Sequence, residues 1–275
     1  MLHPDFSVLL SVYWKERADY LHLALKSIWD DQTVKPSEIV LVKDGPLTPE
    51  LDRVISGFQM KTPLKVIALE QNQGLGRALN EGLKHCSCEW VARMDSDDIS
   101  MPNRFEMQLA YIAVHPETAV LGAWITEFEQ DTSHILSVRR TPESQAEIVR
   151  YSKKRCPVNH PVVMFRRSAV QDAGNYQHLP LFEDYWLWTR MLAKKEEFHN
   201  IQQSLLWFRA SDDMFRRRGG FSYIRCEYRF QKKLRNLNFI SRTDLFVNMG
   251  IRSLFRLIPN RSRAFLYKQV LRSKN

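Results

Sequence analysis

Three carboxylates fall within four residues at Asp95-Ser96-Asp97-Asp98, directly after the short, mostly apolar run Glu89-Trp90-Val91-Ala92-Arg93-Met94. Like charges this close repel, so such a cluster persists best with a cation, usually divalent, among its members. The same residues also suit a polar turn in which an Asp caps the next helix. Spacing alone leaves both readings open. A fourth acid, Asp44, ends the run Glu38-Ile39-Val40-Leu41-Val42-Lys43 ahead of Gly45-Pro46. It reads as a turn former or as a carboxylate accepting hydrogen bonds from a base or ribose.

These acids need a frame, and the chain supplies one. Phe6 to Val12 reads as a first buried strand, followed by helical spacing of Tyr20, Leu21, Ala24, Leu25, Ile28 and Trp29 within Arg17 to Asp31. The second strand is Glu38 to Lys43. A helix around Pro49 to Phe58, a strand at Leu64 to Leu69 and a helix from about Arg77 to His85 lead to the strand before the acidic cluster. Strand alternates with helix four times, the pattern of a doubly wound nucleotide-binding sheet. Asp44 and Asp95 then sit at carboxyl ends of strands and face one crevice, which favours the functional reading of both. Gln71-Asn72-Gln73-Gly74-Leu75-Gly76-Arg77 has Leu79 where a dinucleotide fingerprint needs its third glycine, and it follows the third strand. A glycine-permitted turn remains, bringing a helix N-terminus and Arg77 to an anionic or polar ligand.

With 44% hydrophobic and 26% charged residues, 275 residues bury a sizeable core. Met1-Leu2-His3-Pro4-Asp5 lacks the basic and apolar regions of a secretory signal, so the four cysteines are expected to stay reduced in a cytoplasm. His85-Cys86-Ser87-Cys88 has no second ligand pair at zinc-site spacing. No run approaches the roughly 20 apolar residues of a membrane span, which predicts a soluble or peripheral protein. The net charge of +9 is concentrated at the end: Arg209 to Asn275 holds 17 Lys+Arg against 4 Asp+Glu. That points to an anionic partner for the tail.

In order along the chain, Ser11-Val12-Tyr13, Ser27-Ile28 to Gln32-Thr33, Val42-Lys43-Asp44-Gly45, Asn72-x-Gly74 to Ala78-Leu79-Asn80 and Arg93 to Asp98 resemble the motifs of family 2 glycosyltransferases of the GT-A type. Asn159-His160-Pro161-Val162-Val163-Met164-Phe165-Arg166 and Glu183-Asp184-Tyr185-Trp186-Leu187-Trp188 are similar to that family's acceptor-side motifs. The likeness is greatest to bacterial enzymes of exopolysaccharide, capsule or O-antigen synthesis, the amylovoran type included.

The resemblance implies an α/β GT-A fold: a mostly parallel doubly wound sheet flanked by helices, with a basic helical C-terminal extension. Residues 1–220 would form the catalytic domain, 1–100 on the nucleotide side and 101–220 on the acceptor side, with 221–275 as the extension. It implies an inverting transferase moving a sugar from a nucleotide diphosphate, UDP by expectation, to an acceptor hydroxyl. Asp95 and Asp97 resemble the family's Asp-x-Asp and would bind Mn2+ or Mg2+, Asp95 also contacting the ribose. Asp98 is then left as the cap of the turn. Ser11, Tyr13, Asp44 and Arg77 would hold the nucleotide. Asp184 matches the catalytic base, where the alternative is an acid favoured by a helix dipole. Glu183, His160 and Trp186 would contact the acceptor, although a core histidine on a strand and an aromatic packing residue are equally ordinary roles.

The resemblance also implies a loop after the acceptor motif that supplies His or Arg to the donor diphosphate, for which Arg216, Arg217 and Arg218, beside Gly219-Gly220, are the candidates. Phe221 to Asn236 and Thr243 to Ile258 read as helices. The second is amphipathic and basic, able to lie on an anionic membrane with Arg252 and Arg256 on headgroups, or to pack on the protein. The implied acceptor is a saccharide on a polyprenyl diphosphate, and the expected location is the inner face of the cell membrane, peripherally. Nucleic acid is not an expected partner. The rival classes are a sugar-nucleotidyltransferase, which lacks its phosphate loop here, and a nucleic-acid or lipid binder acting through the tail.

Overall fold

A computed structural model describes residues 4–210 and 220–257. Its centre is β1 (Phe6–Val12), an apolar run buried on both faces as a parallel strand requires. α1 (Ala18–Ile28) carries the chain to β2 (Glu38–Lys43), which pairs with β1 in parallel. α2 (Pro49–Gln59) starts at a Thr48 hydroxyl that caps the N–H of Leu51, with Pro49 in the first turn, and returns to β3 (Leu64–Ala68) beside β2. α3 (Leu75–His85) then crosses to β4 (Trp90–Asp95), on the other side of β1. The chain therefore reverses its direction of travel across the sheet between β1 and β4. A crevice opens there at the strands' carboxyl ends.

The sheet is mostly parallel, as expected, and beyond β4 short antiparallel pairs enter it. β5 (Ile99–Ser100), β6 (Thr118–Phe128), β7 (Ile135–Arg139), β8 (Met164–Arg166) and β9 (Glu197–Arg209) extend it to the order β3-β2-β1-β4-β8-β6-β9-β5, with β7 on β6. β8 runs antiparallel to both β4 and β6, while β6 and β9 are parallel. The long β6–β9 pair folds the second half of the sheet toward the crevice, ending next to the acidic turn.

Alternate residues of the strands feed two cores. Val8 and Leu10 face α1, α2 and α4 (Arg104–Val114). Leu9, Val40 and Val42 face α3, α5 (Gln145–Ser152), α6 (Arg167–Asp172) and α7 (Glu183–Ala193). A third cluster joins α7 to α8 (Gly220–Asn236) and α9 (Arg242–Leu257): Phe182 stacks on Phe230 with ring centroids 4.8 Å apart, and Tyr185 lies 4.5 Å from the same ring. Residues on both sides of position 220 thus share one core.

α9 presents Phe246 and Ile251 to solvent, 74% and 55% exposed. Arg252, expected on a headgroup, instead turns inward: its guanidinium pairs with the buried Glu227 and donates to the Lys154 carbonyl. Burying Glu227 at the α8–α9 contact demands that counter-charge. Arg256 has no described side chain. Among the described residues, no helix is long and apolar enough to cross a membrane.

Candidate active site

The crevice is floored by β1, β2 and β4. Ser11 pairs in register with Asp95 on one side and Val42 on the other, so Ser11, the half-exposed Tyr13, Asp44 and Asp95 share one edge. One ligand-capable atom from each of Asp95, Asp97 and Asp98 lies within 4.8 Å of the others. Asp98, expected only to cap the turn, belongs to this group. It is fully buried, its Oδ1 accepts the Arg209 N–H at 2.8 Å, and its Oδ2 has no partner. Burial, then the charges of Asp97 and Asp95, hold its carboxyl well above the usual range. Asp97 is pushed up to about 7 by burial, then by Asp95 and by Glu16, whose Oε2 accepts the Ser96 hydroxyl at 2.7 Å. Three crowded carboxylates with an orphaned buried oxygen suit a hard divalent cation, whose oxygen ligands they would be.

Counter-charge comes from beneath. The buried Arg93, two residues back and on the same strand face as Asp95, donates to its Oδ1. Burial opposes the Arg93 charge, yet Asp95, followed by Tyr176 and Asp98, raises its pKa. Its Nε and Nη1 have no hydrogen-bond partner. Arg104 lies below that, fully buried, donating to the Arg93 carbonyl at 2.6 Å; burial and then Arg93 lower it to about 9. A charged residue inside an apolar strand is the signal that could have marked Arg93 as part of the site.

Asp44, expected at the nucleotide, accepts hydrogen bonds from the loop that follows β3. Its Oδ1 accepts the Gln73 N–H at 2.6 Å, and its Oδ2 accepts the Gly74 N–H and the Asn72 amide, both at 3.0 Å. The carboxylate shapes the loop that starts α3. Gly45 allows this approach: its φ is +87°, and a Cβ would lie 2.7 Å from the Asn72 nitrogen. Arg77, exposed in the first turn of α3, lines a cleft of about 90 Å³ with His178, Pro180 and Glu183.

α3 also meets the acceptor-side elements. Asn80 clamps the Tyr176 backbone, donating to its carbonyl at 2.7 Å and accepting its N–H at 2.9 Å. Tyr176 is buried and its hydroxyl lies 2.9 Å from Nε2 of His160. His160 occupies a 3-10 turn, His160–Val162, just before β8 and not on the strand itself; Pro161 inside it has no N–H to give a strand ladder. Burial and then the charge of Arg93 hold its imidazole well below the usual range, so it is neutral. Burial, opposed by the charge of Arg93, raises the Tyr176 hydroxyl well above its usual range.

Glu183 and Asp184 form the first turn of α7, both half-buried. Glu183 has its carboxyl raised by burial, then by Asp184. The Cys156 thiol lies 3.9 Å from Asp184 Oδ2. Gly76 lets the α3 start approach: a Cβ there would be 3.3 Å from Glu183 Cγ. Trp186 offers no open stacking face. It is 7% exposed, donates to Gln177 Oε1 at 2.8 Å, and has Arg190 and Lys233 within 5.5 and 5.1 Å of its ring. The α8 cover that encloses it lies some forty residues further along the chain. Trp188 is wholly buried. Arg216, Arg217 and Arg218 lie outside the described residues. Arg209 is described: it spans Asp97 and Gln130 carbonyls and stacks over Tyr20 at 3.8 Å.

The sequence profile described as Glycosyl transferase family 2 matches residues 7–174. The UDP-Gal:alpha-D-GlcNAc-diphosphoundecaprenol beta-1,3-galactosyltransferase of Escherichia coli is 39% identical over 269 residues, 98% of this chain and 97% of that protein. The amylovoran biosynthesis glycosyltransferase AmsE of Erwinia amylovora is 40% identical over 267 residues, 96% of this chain and 98% of its own length. Among solved structures, the mannosyltransferase PcManGT from Pyrobaculum calidifontis, in complex with GDP-Man and Mn2+, superposes with a TM-score of 0.66 at 14% identity, covering 95% of this chain and 72% of that one. S. aureus TarS 1-349 gives 0.65 at 18%, covering 98% and 76%. At such identities these structures speak to the fold, and both share this curled sheet with its flanking helices. The chain belongs to glycosyl transferase family 2 and is a glycosyltransferase of GT-A architecture.

Proposed function

We propose that the chain transfers a sugar, with inversion, from a UDP-sugar to a hydroxyl of a saccharide carried on a polyprenyl diphosphate, in surface polysaccharide synthesis. The observation that carries this reading is the acidic trio Asp95, Asp97 and Asp98, whose ligand-capable atoms lie within 4.8 Å of one another at the crevice. The trio would hold Mn2+ or Mg2+, which when bound offsets the charge of the donor diphosphate. Ser11, Tyr13, Asp44 and Arg77 line the nucleotide side, and Asp44 also shapes the loop that carries Arg77.

Asp184 takes the proton from the acceptor hydroxyl as its oxygen attacks the anomeric carbon. The new glycosidic C–O bond forms while the bond from that carbon to the phosphate oxygen breaks, and the nucleoside diphosphate leaves with the electron pair. Attack opposite the leaving group inverts the centre. Glu183 orients the acceptor in the small cleft, and neutral His160, bonded to Tyr176, orders the floor beneath it. Arg216 and Arg217 are kept as candidates for the leaving diphosphate. Residues 1–100 serve the nucleotide, 101–220 the acceptor, and 221–275 a peripheral contact with anionic lipid at the inner face of the membrane.

The donor and acceptor follow the name of the E. coli relative, which spans nearly the whole of both chains. The test is direct. Purified protein with Mn2+ is given a panel of UDP-, GDP- and dTDP-sugars and a diphosphate-linked N-acetylglucosamine acceptor. Transfer from a UDP-sugar that stops on chelation is expected; transfer from none, or undiminished transfer with chelator, overturns the reading.

A further inference from the structure

A groove of about 410 Å³ lies between the loop carrying His178 and Pro180 and one face of α8. Cys226, Arg229 and Lys233 follow one another at helical spacing along that face, with Lys232 alongside. α8 carries five basic residues against one acid. That acid, Glu227, is buried and already paired with Arg252. Among the described residues, no carboxylate lies within ion-pair distance of Arg229, Lys232 or Lys233. Concentrated positive charge without internal compensation is a site for an anion. The groove's position says which anion. His178 and Pro180 also wall the small cleft that contains Arg77 and Glu183. An anion in the groove is therefore one loop's width from the residues that face the reacting hydroxyl.

We propose that this groove holds the diphosphate of the lipid-linked acceptor. The inference rests on the function proposed above. In such an acceptor, a single sugar ring separates the reacting hydroxyl from the diphosphate, so its anchor must lie near the acceptor cleft; this groove shares His178 and Pro180 with the cleft that contains Glu183. A diphosphate esterified at both ends keeps a negative charge on each phosphate, matching Arg229 and Lys232 at the exposed wall and Lys233 deeper. The donor diphosphate has its own place at the acidic trio, none of whose residues lines the groove, so the two anions do not compete for one site.

The test uses Arg229→Gln/Lys232→Gln, both exposed on α8 and away from the Lys233 contact with Trp186. The probe is a soluble acceptor, N-acetylglucosamine α-linked to a diphosphate with a short alkyl chain. The expected result is at least a tenfold rise in its KM, with kcat and the Kd for UDP held. Methyl α-N-acetylglucosaminide, which lacks the diphosphate, should be used equally poorly by both forms. An unchanged KM for the diphosphate probe overturns the proposal. So does a variant that loses only its pelleting with phosphatidylglycerol vesicles, which would make the groove a general membrane contact. If the parent transfers to no acceptor, the proposed function fails, and the groove is judged by titration alone. Binding of the diphosphate probe to the parent and not to the variant supports it; equal binding by both, or by neither, overturns it.

Discussion

The backbone N–H of Arg209 donates to Oδ1 of Asp98 at 2.8 Å, joining the last residue of β9 to the acidic turn after β4. The Arg209 side chain completes the joint by donating to the Asp97 carbonyl at 2.9 Å. Asp98 therefore has two duties: one oxygen is a structural acceptor, the other is buried and free. Substitutions separate them. Asp98→Asn keeps the acceptor and should leave metal-free stability equal or higher while shrinking the rise in Tm on adding Mn2+. Asp98→Ala strands the Arg209 N–H and should cost about 1–3 kcal/mol. Thermal melts with and without Mn2+ distinguish the two.

Asp97 gives a pH signature. Its folded pKa of about 7 exceeds the unfolded value near 4, so between these limits the folded state binds the extra proton. Relative to Asp97→Asn, the metal-free parent should lose stability as pH rises from about 4 to about 7, and level off above. Urea midpoints across that range measure it. A parent that gains on the variant over the window would contradict the assignment.

Asp184→Asn removes the proton acceptor and leaves the helix start intact. Transfer should fall by about 10²–10⁴-fold, the usual worth of a positioned general base. Titrations of UDP and Mn2+ should match the parent. Parental turnover would move the base elsewhere.

Arg93→Met leaves Asp95 without its buried partner and should destabilise by about 3–5 kcal/mol. Adding Asp95→Asn should return part of that loss, a coupling readable from a double-mutant cycle in urea. Additive effects would mean that the ion pair does not hold the turn.

Phe246→Ser/Ile251→Ser trims the exposed apolar residues of α9. Pelleting with phosphatidylglycerol vesicles should drop severalfold, with transfer to a soluble acceptor unchanged. Equal pelleting would remove α9 from the membrane contact.

The nucleotide half was readable because its buried parallel strands are written as short, mostly apolar runs. Phe6–Val12 and Glu38–Lys43 agree with expectation at both ends. β9 carries no such mark: Glu197–Arg209 mixes Gln202, Gln203 and Ser204 into a strand whose partner lies some eighty residues away. The site divides similarly. Asp95 and Asp97 announce themselves by type and spacing. The role of Asp44 toward the main-chain N–H groups of Gln73 and Gly74 leaves no side-chain signature, and the enclosure of Trp186 depends on α8 coming back over α7.

That return has a consequence for how the protein is made. Synthesis proceeds from the N-terminus, so the first turn of α7 leaves the ribosome before Phe230, Leu234 and Ile240, which seat it. A chain stalled ahead of α8 would hold a finished crevice for the nucleotide and an unsupported acceptor side. Competence for transfer therefore arrives late in translation, once α8 has packed on α7.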